Sequence, residues 1–161
     1  MKGGAAGARR VWATAAVGLA LGCAGPATDS ARAPEFLRSE ATAALDLPFS
    51  DAVRVGSTLY LSGQVGNRPG TPDLVAGGIR AEARQALANV QAILERNGSS
   101  LSRVVKCTVF LADIADWPAF NEVYVEFFPV DPPARSALGA AGLALGARVE
   151  VECIAVAAGP E

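Results

Sequence analysis

The segment 131–157 near the end of the chain constrains the fold most, because it places two carboxylates on a strand that is otherwise apolar. Alternation along an extended strand separates two sets of side chains, Val149, Val151, Cys153 and Ala155 on one face and Glu150, Glu152, Ile154 and Val156 on the other. A charge buried on such a face is costly unless it is paired or hydrogen-bonded. Arg135 is the candidate partner, because Pro132 and Pro133 restrict the backbone just before it.

Hydrophobic periodicity predicts the remaining elements in the order β-β-α-β-α-β-β. Strands over 53–55 and 58–62 flank Gly56-Ser57, which suits a type II′ hairpin. Helices are predicted over 79–97 and from Asp116 to about 128, and further strands over 103–111, 135–140 and 148–157. This order predicts an α+β fold in which a single mixed sheet carries two helices on one face. Self-association is the expected cover for the other face.

The first 22 residues have the pattern of an export signal, in which a basic head precedes an apolar run over 11–21. The run is too short to span a bilayer as a mature helix. It ends in L-A-L-G-C, which resembles the lipobox of bacterial lipoproteins and makes Cys23 the candidate lipidation site. Cleavage with secretion and an uncleaved start are the alternatives. Residues 23–44 are interpreted as a tether and 45–158 as one folded domain, on the periplasmic side of a membrane and attached to it through lipid on Cys23.

Composition argues against two kinds of site. The 161 residues include no histidine and three cysteines without C-x-x-C spacing, so no metal site is expected. Of 14 basic residues, 11 remain once Lys2, Arg9 and Arg10 are removed with the signal, and they face 16 acidic residues for a net charge of −5. Nucleic acid is therefore not an expected partner. Cys107 and Cys153 are interpreted as small core residues, although export would permit a disulfide.

Several motifs follow one another through about residues 45–157. They read P-F-S-D-A-V-R-V-G-S-T-L-Y-L-S-G-Q-V from Pro48, V-V-K-C-T-V-F-L-A-D from Val104, N-E-V-Y-V-E-F-F from Asn121, then P-P-A-R-S and V-E-V-E-C-I-A-V. Together they resemble the Rid family, also called YjgF or the reactive-intermediate deaminase family. The resemblance implies a chorismate-mutase-like α+β fold and a homotrimer with an active site in each cleft between subunits. It also implies that no metal or organic cofactor is used.

The activity that the resemblance implies is the hydrolysis of reactive 2-imino acids or enamines to 2-keto acids and ammonia. It assigns Arg135 to the substrate carboxylate and Glu150 to the attacking water, and it places Ser62, Gly63 and Asn121 at the pocket. These residue types suit the chemistry. A planar guanidinium binds a carboxylate through two parallel hydrogen bonds, and a glutamate in an apolar cleft can hold a raised pKa.

The chain departs from the family pattern at three positions. Phe49 stands in the substrate pocket where active deaminases usually have Tyr, Ala137 replaces a cysteine, and Gly66 replaces a proline. Loss of the hydroxyl at position 49 is expected to weaken or redirect activity, since a hydrogen bond contributes about 0.5–1.5 kcal/mol. Two alternatives therefore stay open, a catalytically weak trimer that binds a carboxylate or another small metabolite, and a holdase-like trimer.

Structural roles are the competing interpretation for several of these residues. Arg135 could pair with Asp131 or Glu150 across a turn, and Glu150 could be a solvated residue on a strand face. Glu152 is expected to form an ion pair with Arg148 on the same strand face. Ser62 lacks a base to activate it and fits a strand-end hydroxyl better than a nucleophile. Asn121 could serve only to hold loop backbone.

Overall fold

The computed structural model describes residues 33–158, together with Met1 and Gly3. The predicted lipidation site at Cys23 and the predicted export signal, apart from Met1 and Gly3, lie outside the described residues. Within the described part of the chain, the helices are too short or too polar to cross a membrane.

One mixed sheet forms the centre of the described fold. Its strands are β1 (Glu35–Leu37), β2 (Ala52–Val55), β3 (Thr58–Leu61), β4 (Gln64–Val65), β5 (Val104–Leu111), β6 (Ala134–Gly139) and β7 (Val149–Val156). Their order across the sheet is β1-β2-β3-β7-β5-β6, and β4 pairs with β7 beyond the end of β3. β5 and β6 run parallel, and the other pairs are antiparallel. Gly56 has a φ of 58° in the turn from β2 to β3, as the predicted type II′ hairpin requires at its first central residue.

The helices are α1 (Glu40–Ala44), α2 (Gly78–Arg96) and α3 (Trp117–Phe127). α2 packs against β7, and α3 packs against α2. The predicted apolar stripe of α2 is fully buried and consists of Ala83, Leu87, Val90 and Leu94. The side of the sheet that carries Val149, Val151 and Cys153 faces this layer and is called the helix face below. The opposite side, which carries Glu150, Glu152 and Ile154, is called the open face. The predicted α+β fold with a single mixed sheet is thereby confirmed.

The sheet begins earlier than the predicted domain boundary at residue 45, because β1 and α1 lie within the stretch predicted to be a tether. β1 extends the sheet by pairing with β2. The buried Asp51 holds the start of α1, since its carboxylate accepts a hydrogen bond from the Ser39 backbone N–H at 2.6 Å and another from the Thr42 hydroxyl. A strand of three residues and a helix of five are too short to produce a readable periodicity.

Cys107 and Cys153 are joined by a disulfide, which corrects the interpretation of both as separate core residues. The two residues lie directly opposite each other on β5 and β7, with their Cα atoms 4.1 Å apart. Both side chains are buried on the helix face. The sequence places both residues on strands, but only the pairing of those strands brings the two sulfurs together.

The predicted ion pair between Arg148 and Glu152 is wrong. Residues four apart on a strand are separated by about 13 Å, so these side chains do not meet readily. Arg148 binds Asp116 instead, through its Nη2 at 2.8 Å and its Nε at 3.1 Å. Asp116 precedes α3 as predicted, but its carboxylate makes no capping hydrogen bond to that helix. Glu152 stays exposed on the open face near Lys106 and Thr108.

Candidate active site

Glu150 lies in β7 on the open face, and its carboxylate reaches directly over Gly63. A Cβ atom added to Gly63 would lie 1.9 Å from Glu150 Oε1 and 2.7 Å from its Cδ. Real Cβ atoms do not approach other atoms so closely, so a residue with a side chain at position 63 would displace the carboxylate. The glycine at this position therefore makes room for the acid.

The chain between β3 and β4 brings Gly63 to this position. The Ser62 hydroxyl donates a hydrogen bond to the Ser50 carbonyl at 2.7 Å, and the Ser62 backbone N–H donates to the Asp51 carbonyl at 3.0 Å. After this bend β4 pairs again with β7, with Val65 opposite Glu150. Ser62 thus acts on the backbone in this structure, as the structural interpretation of its hydroxyl anticipated, and its role towards a substrate stays a prediction.

A cavity of about 450 Å³ opens beside this carboxylate. The residues that line it include the apolar Leu45, Leu47, Phe49 and Leu145 and the polar Gln64, Asn67, Asn89 and Arg96. Asn89 of α2 holds the backbone at the cavity, because its Nδ2 donates hydrogen bonds to the Val65 and Asn67 carbonyls at 3.1 and 3.0 Å. The structure therefore brings three of the predicted pocket residues, Phe49, Gly63 and Glu150, to one cavity.

Burial raises the pKa of Glu150 above its ordinary value, and the negative charge of Glu152 raises it further. The two acids are two residues apart on the same face of β7, so the second cause follows from the alternation of the strand. A raised pKa means that the folded protein binds this proton more tightly than the unfolded chain does. This stabilising contribution is present at low pH and is lost as the pH rises through the pKa of the folded state.

Arg135 lies elsewhere on the molecule, in the edge strand β6 and on the helix face. It is in register with Cys107 of β5, whereas Glu150 is in register with Phe110 of the same strand. Positions 107 and 110 of a strand point to opposite faces. Arg135 and Glu150 of one copy therefore lie on opposite sides of the sheet.

Aromatic rings of α3 support the Arg135 side chain. Its guanidinium carbon lies 4.5 Å from the centre of the Tyr124 ring and 5.7 Å from that of Phe120, which are cation–π distances. Among the described residues the guanidinium forms no ion pair with a carboxylate. This arrangement fixes the position of the guanidinium and leaves its hydrogen-bond donors for another partner.

α3 also carries two buried polar atoms, and one of them belongs to Tyr124, whose ring contacts Arg135. Asn121 Oδ1 and the Tyr124 hydroxyl have no hydrogen-bond partner among the described residues. Burial raises the pKa of Tyr124, and the positive charge of Arg135 lowers it in part. Asn121 was predicted at the pocket, whereas Tyr124 was missed because its helical spacing indicates a core residue. The sequence gives no signal for the contact between Tyr124 and Arg135, since this contact depends on how α3 crosses β6.

The described residues thus form two separate groups. One consists of Glu150, Gly63 and Phe49 around the cavity, and the other of Arg135 with the α3 rings of Phe120 and Tyr124. In the described part of the chain, no group of three or more acidic or cysteine side chains is placed to hold a metal ion. The first group presents a partly buried carboxylate with a raised pKa, and the second presents a guanidinium that has no carboxylate partner among the described residues.

The comparisons with known proteins agree on one family. A family model described as Endoribonuclease L-PSP matches residues 40–157. A curated relative from Dermatophagoides farinae, named 2-iminobutanoate/2-iminopropanoate deaminase, is 49% identical over 109 residues, which are 68% of this chain and 85% of the relative. The crystal structure of YEO7_yeast has a TM-score of 0.73 and 38% identity, and the match covers 78% of this chain and 100% of that one. The structure of E. coli TdcF with bound serine has a TM-score of 0.65 and 36% identity, with coverages of 70% and 90%.

Proposed function

Because the chain belongs to the Endoribonuclease L-PSP family, also called Rid or YjgF, we propose that it hydrolyses reactive 2-imino acids to 2-keto acids and ammonia. It is a deaminase-like enzyme, given its identity to several curated relatives with that name. One observation carries the proposal: the Glu150 carboxylate, with its raised pKa, lies over Gly63 beside a cavity. Serine, found bound in the E. coli relative, carries the carboxylate and the neighbouring nitrogen that a 2-imino acid also has.

Glu150 is suited to move protons between water and the substrate nitrogen. It takes a proton from water as the water oxygen adds to the imine carbon, and it passes that proton to the imine nitrogen to give a carbinolamine. It then takes the hydroxyl proton and passes it to the amino nitrogen while the C–N bond breaks. Ammonia leaves with the electron pair of that bond, and the 2-keto acid remains. A base with a raised pKa carries out both transfers near neutral pH more readily than an ordinary carboxylate does.

The substrate carboxylate is proposed to bind Arg135 of a neighbouring copy. Arg135 and Glu150 of one copy face opposite sides of the sheet, so one copy does not supply both groups to one small substrate. A closed homotrimer would place the helix-face arginine of one copy beside the open-face acid of the next. A guanidinium that is supported by aromatic rings and free of carboxylates within residues 33–158 fits this role.

A binding protein without turnover is the second candidate function, and Phe49 is the observation that favours it. Its ring lines the cavity beside Glu150 and offers no hydroxyl to a substrate. RNA cleavage is not proposed, despite the description of the family, because the chain has no histidine and its net charge is −5 without the N-terminal basic residues.

Export to an oxidising compartment, with lipid on Cys23, is proposed as well. The buried disulfide between Cys107 and Cys153 supports it, since disulfides are rare in reducing compartments. The test is the mass of the mature N-terminus isolated from a bacterial membrane fraction. An acylated Cys23 is expected, and an intact Met1 in a soluble fraction would overturn this part of the proposal.

The test of the activity uses 2-imino acids generated in place by an amino acid oxidase, with release of ammonia and 2-keto acid followed above the spontaneous rate. We expect Arg135→Ala and Glu150→Gln each to be inactive. Arg80→Ala is the control, because Arg80 lies on the surface in an ion pair with Glu122. Binding of a carboxylate without turnover would favour the binding protein. Suppression of client aggregation that survives Arg135→Ala would favour a holdase.

Mixing the two inactive variants tests the shared site. Each proposed site takes Arg135 from one copy and Glu150 from the next. If the two variants assemble randomly in equal amounts, each of these copies carries the intact residue about half of the time, so about one quarter of the sites regain both groups. Activity near that level is expected after co-expression. A mixture as inactive as its parents, with trimers present by mass, would show that both residues serve the same copy.

A further inference from the structure

The disulfide and the candidate anion-binding arginine lie in one row across the helix face of the sheet. Cys153 of β7 is in register with Cys107 of β5, and Cys107 is in register with Arg135 of β6. Both cysteines are buried, whereas Arg135 is half-buried and lies against the Tyr124 ring of α3. The covalent link between β5 and β7 is therefore next to the strand position that carries the guanidinium.

The backbone at Arg135 depends on β5 for its position. β6 is the last strand in the order of the described sheet, and it pairs there with β5. The chain enters β6 through Pro132 and Pro133, which have no backbone N–H to donate to a neighbouring strand. The first residues of β6 are in register with Lys106 and Cys107. A movement of β5 at these two residues would therefore move the arginine as well.

The pairing of β5 with β7 is interrupted at the same place. Its register shifts between Val104 and Lys106, which leaves Val105 outside the ladder. The Cα atoms of Cys107 and Cys153 are 4.1 Å apart, close to the roughly 4.5 Å of an antiparallel pair that exchanges no backbone hydrogen bonds. The disulfide thus joins β5 to β7 beside a bulge, at a row where the backbone contributes little to holding the two strands together.

We propose that the Cys107–Cys153 disulfide positions Arg135 for the substrate carboxylate, so that the enzyme binds its substrate tightly only in the oxidised state. The inference rests on the proposed deaminase function and on the proposed role of Arg135. Two parallel hydrogen bonds to a carboxylate require an accurately placed guanidinium, and a misplacement of about 1 Å can cost about 100-fold. In the reduced protein β5 is free to move away from β7 beside the bulge, and β6 moves with it.

Two redox forms of the full chain test the inference. The protein is unfolded with excess dithiothreitol, which gives two electrons and two protons to the disulfide and becomes a cyclic disulfide itself. One half is refolded in reductant and the other after reoxidation, and peptide masses identify the state of Cys107 and Cys153. Imine hydrolysis is then measured well below the melting temperature of either form. We expect KM for the alanine-derived imine to be about ten-fold higher in the reduced form, with kcat changed less than about two-fold.

The split between KM and kcat separates positioning from a purely structural role. If the disulfide only stabilises the whole fold, reduction lowers the folded fraction, so the apparent kcat falls and KM stays the same. That result would overturn the inference. Cys107→Val combined with Cys153→Ala keeps most of the apolar volume without the cross-link, and its KM should match that of the reduced form in either preparation. A KM equal to that of the oxidised form would show that packing alone places the arginine.

Val109→Ala is the matched control, because Val109 is fully buried on the same face of β5, one row further along in register with Ala137. It should lower the melting temperature while leaving KM unchanged, since it keeps the disulfide. A rise in KM as large as that of the reduced form would overturn the inference, because general loosening of the core would then explain both.

Hydrogen exchange followed by mass spectrometry provides a readout that needs no turnover. The amides of residues 134–139 should exchange faster in the reduced form, while those of residues 52–61 in the β2–β3 hairpin keep their rates. Equal KM in the two forms, or an equal increase of exchange across the whole sheet, would overturn the inference. If the oxidised form hydrolyses no imine, the deaminase proposal fails, and the exchange rates still decide whether the disulfide positions β6.

Discussion

Gly63→Ala perturbs the candidate base and little else. The new Cβ would lie 1.9 Å from Glu150 Oε1, whereas an ordinary contact begins at 3.4 Å, so the carboxylate oxygen must withdraw by about 1.5 Å. The atoms in the way belong to the end of a flexible side chain, and the Gly63 backbone has no positive φ that would exclude alanine. The fold should therefore accept the substitution. A misplacement of about 1 Å at a catalytic group can cost about 100-fold in rate.

The measurement is kcat for imine hydrolysis together with the melting temperature. We expect kcat to fall about 100-fold or more while the melting temperature changes by only a few degrees. Gly139→Ala is the control, because its Cβ would meet Ile114 Cβ at 3.5 Å, an ordinary contact, and its activity should match that of the unmodified protein. A folded Gly63→Ala variant with full kcat would refute the assignment of Glu150 as the base held over this glycine.

Three further perturbations test separate parts of the structure. Glu152→Gln removes the negative charge that helps to raise the pKa of Glu150, so the acid limb of the kcat/KM profile should move to lower pH, and an unmoved limb would contradict that coupling. Replacing both Cys107 and Cys153 by alanine removes a cross-link between residues 46 apart, worth about 4 kcal/mol. The melting temperature should then drop by more than about 10 °C, and reductant should have no further effect. Tyr124→Leu removes the ring that lies under the Arg135 guanidinium. If Arg135 binds the substrate carboxylate as proposed, KM should rise about five- to thirty-fold in this variant, whereas Tyr124→Phe should keep the original KM. Equal effects of the two substitutions would exclude the cation–π contact as the cause.

Features set by local periodicity could be predicted from the sequence. The alternation of β7 places Glu150 on one face and Val149 on the other, and the structure has both where a period of two puts them. The helix predicted over 79–97 is α2, Gly78–Arg96, because an apolar stripe of period 3.6 and a terminal Asn-Gly both act within a few residues.

Features that depend on which strands pair could not be predicted in the same way. The Cys107–Cys153 disulfide requires the register of β5 against β7, and the separation of Arg135 from Glu150 requires that of β6 against β5. Registers between distant segments are set by packing of the whole sheet, to which every strand contributes. The backbone conformation of Leu145 could not be predicted from the sequence either, since leucine does not favour a positive φ.

Because the candidate site is divided between two faces of the sheet, the pKa of Glu150 and the position of Arg135 are set by different neighbours. The raised pKa of Glu150 arises from burial and from Glu152, both within one copy. The position of Arg135 arises from Tyr124 and Phe120, also within one copy. In the proposed shared site, each group is therefore positioned within its own copy, and association of the copies would only have to bring the two groups together. The separation on two faces keeps the Glu150 carboxylate and the Arg135 guanidinium of one copy from neutralising each other as a buried ion pair, which would leave neither group for the proposed reaction.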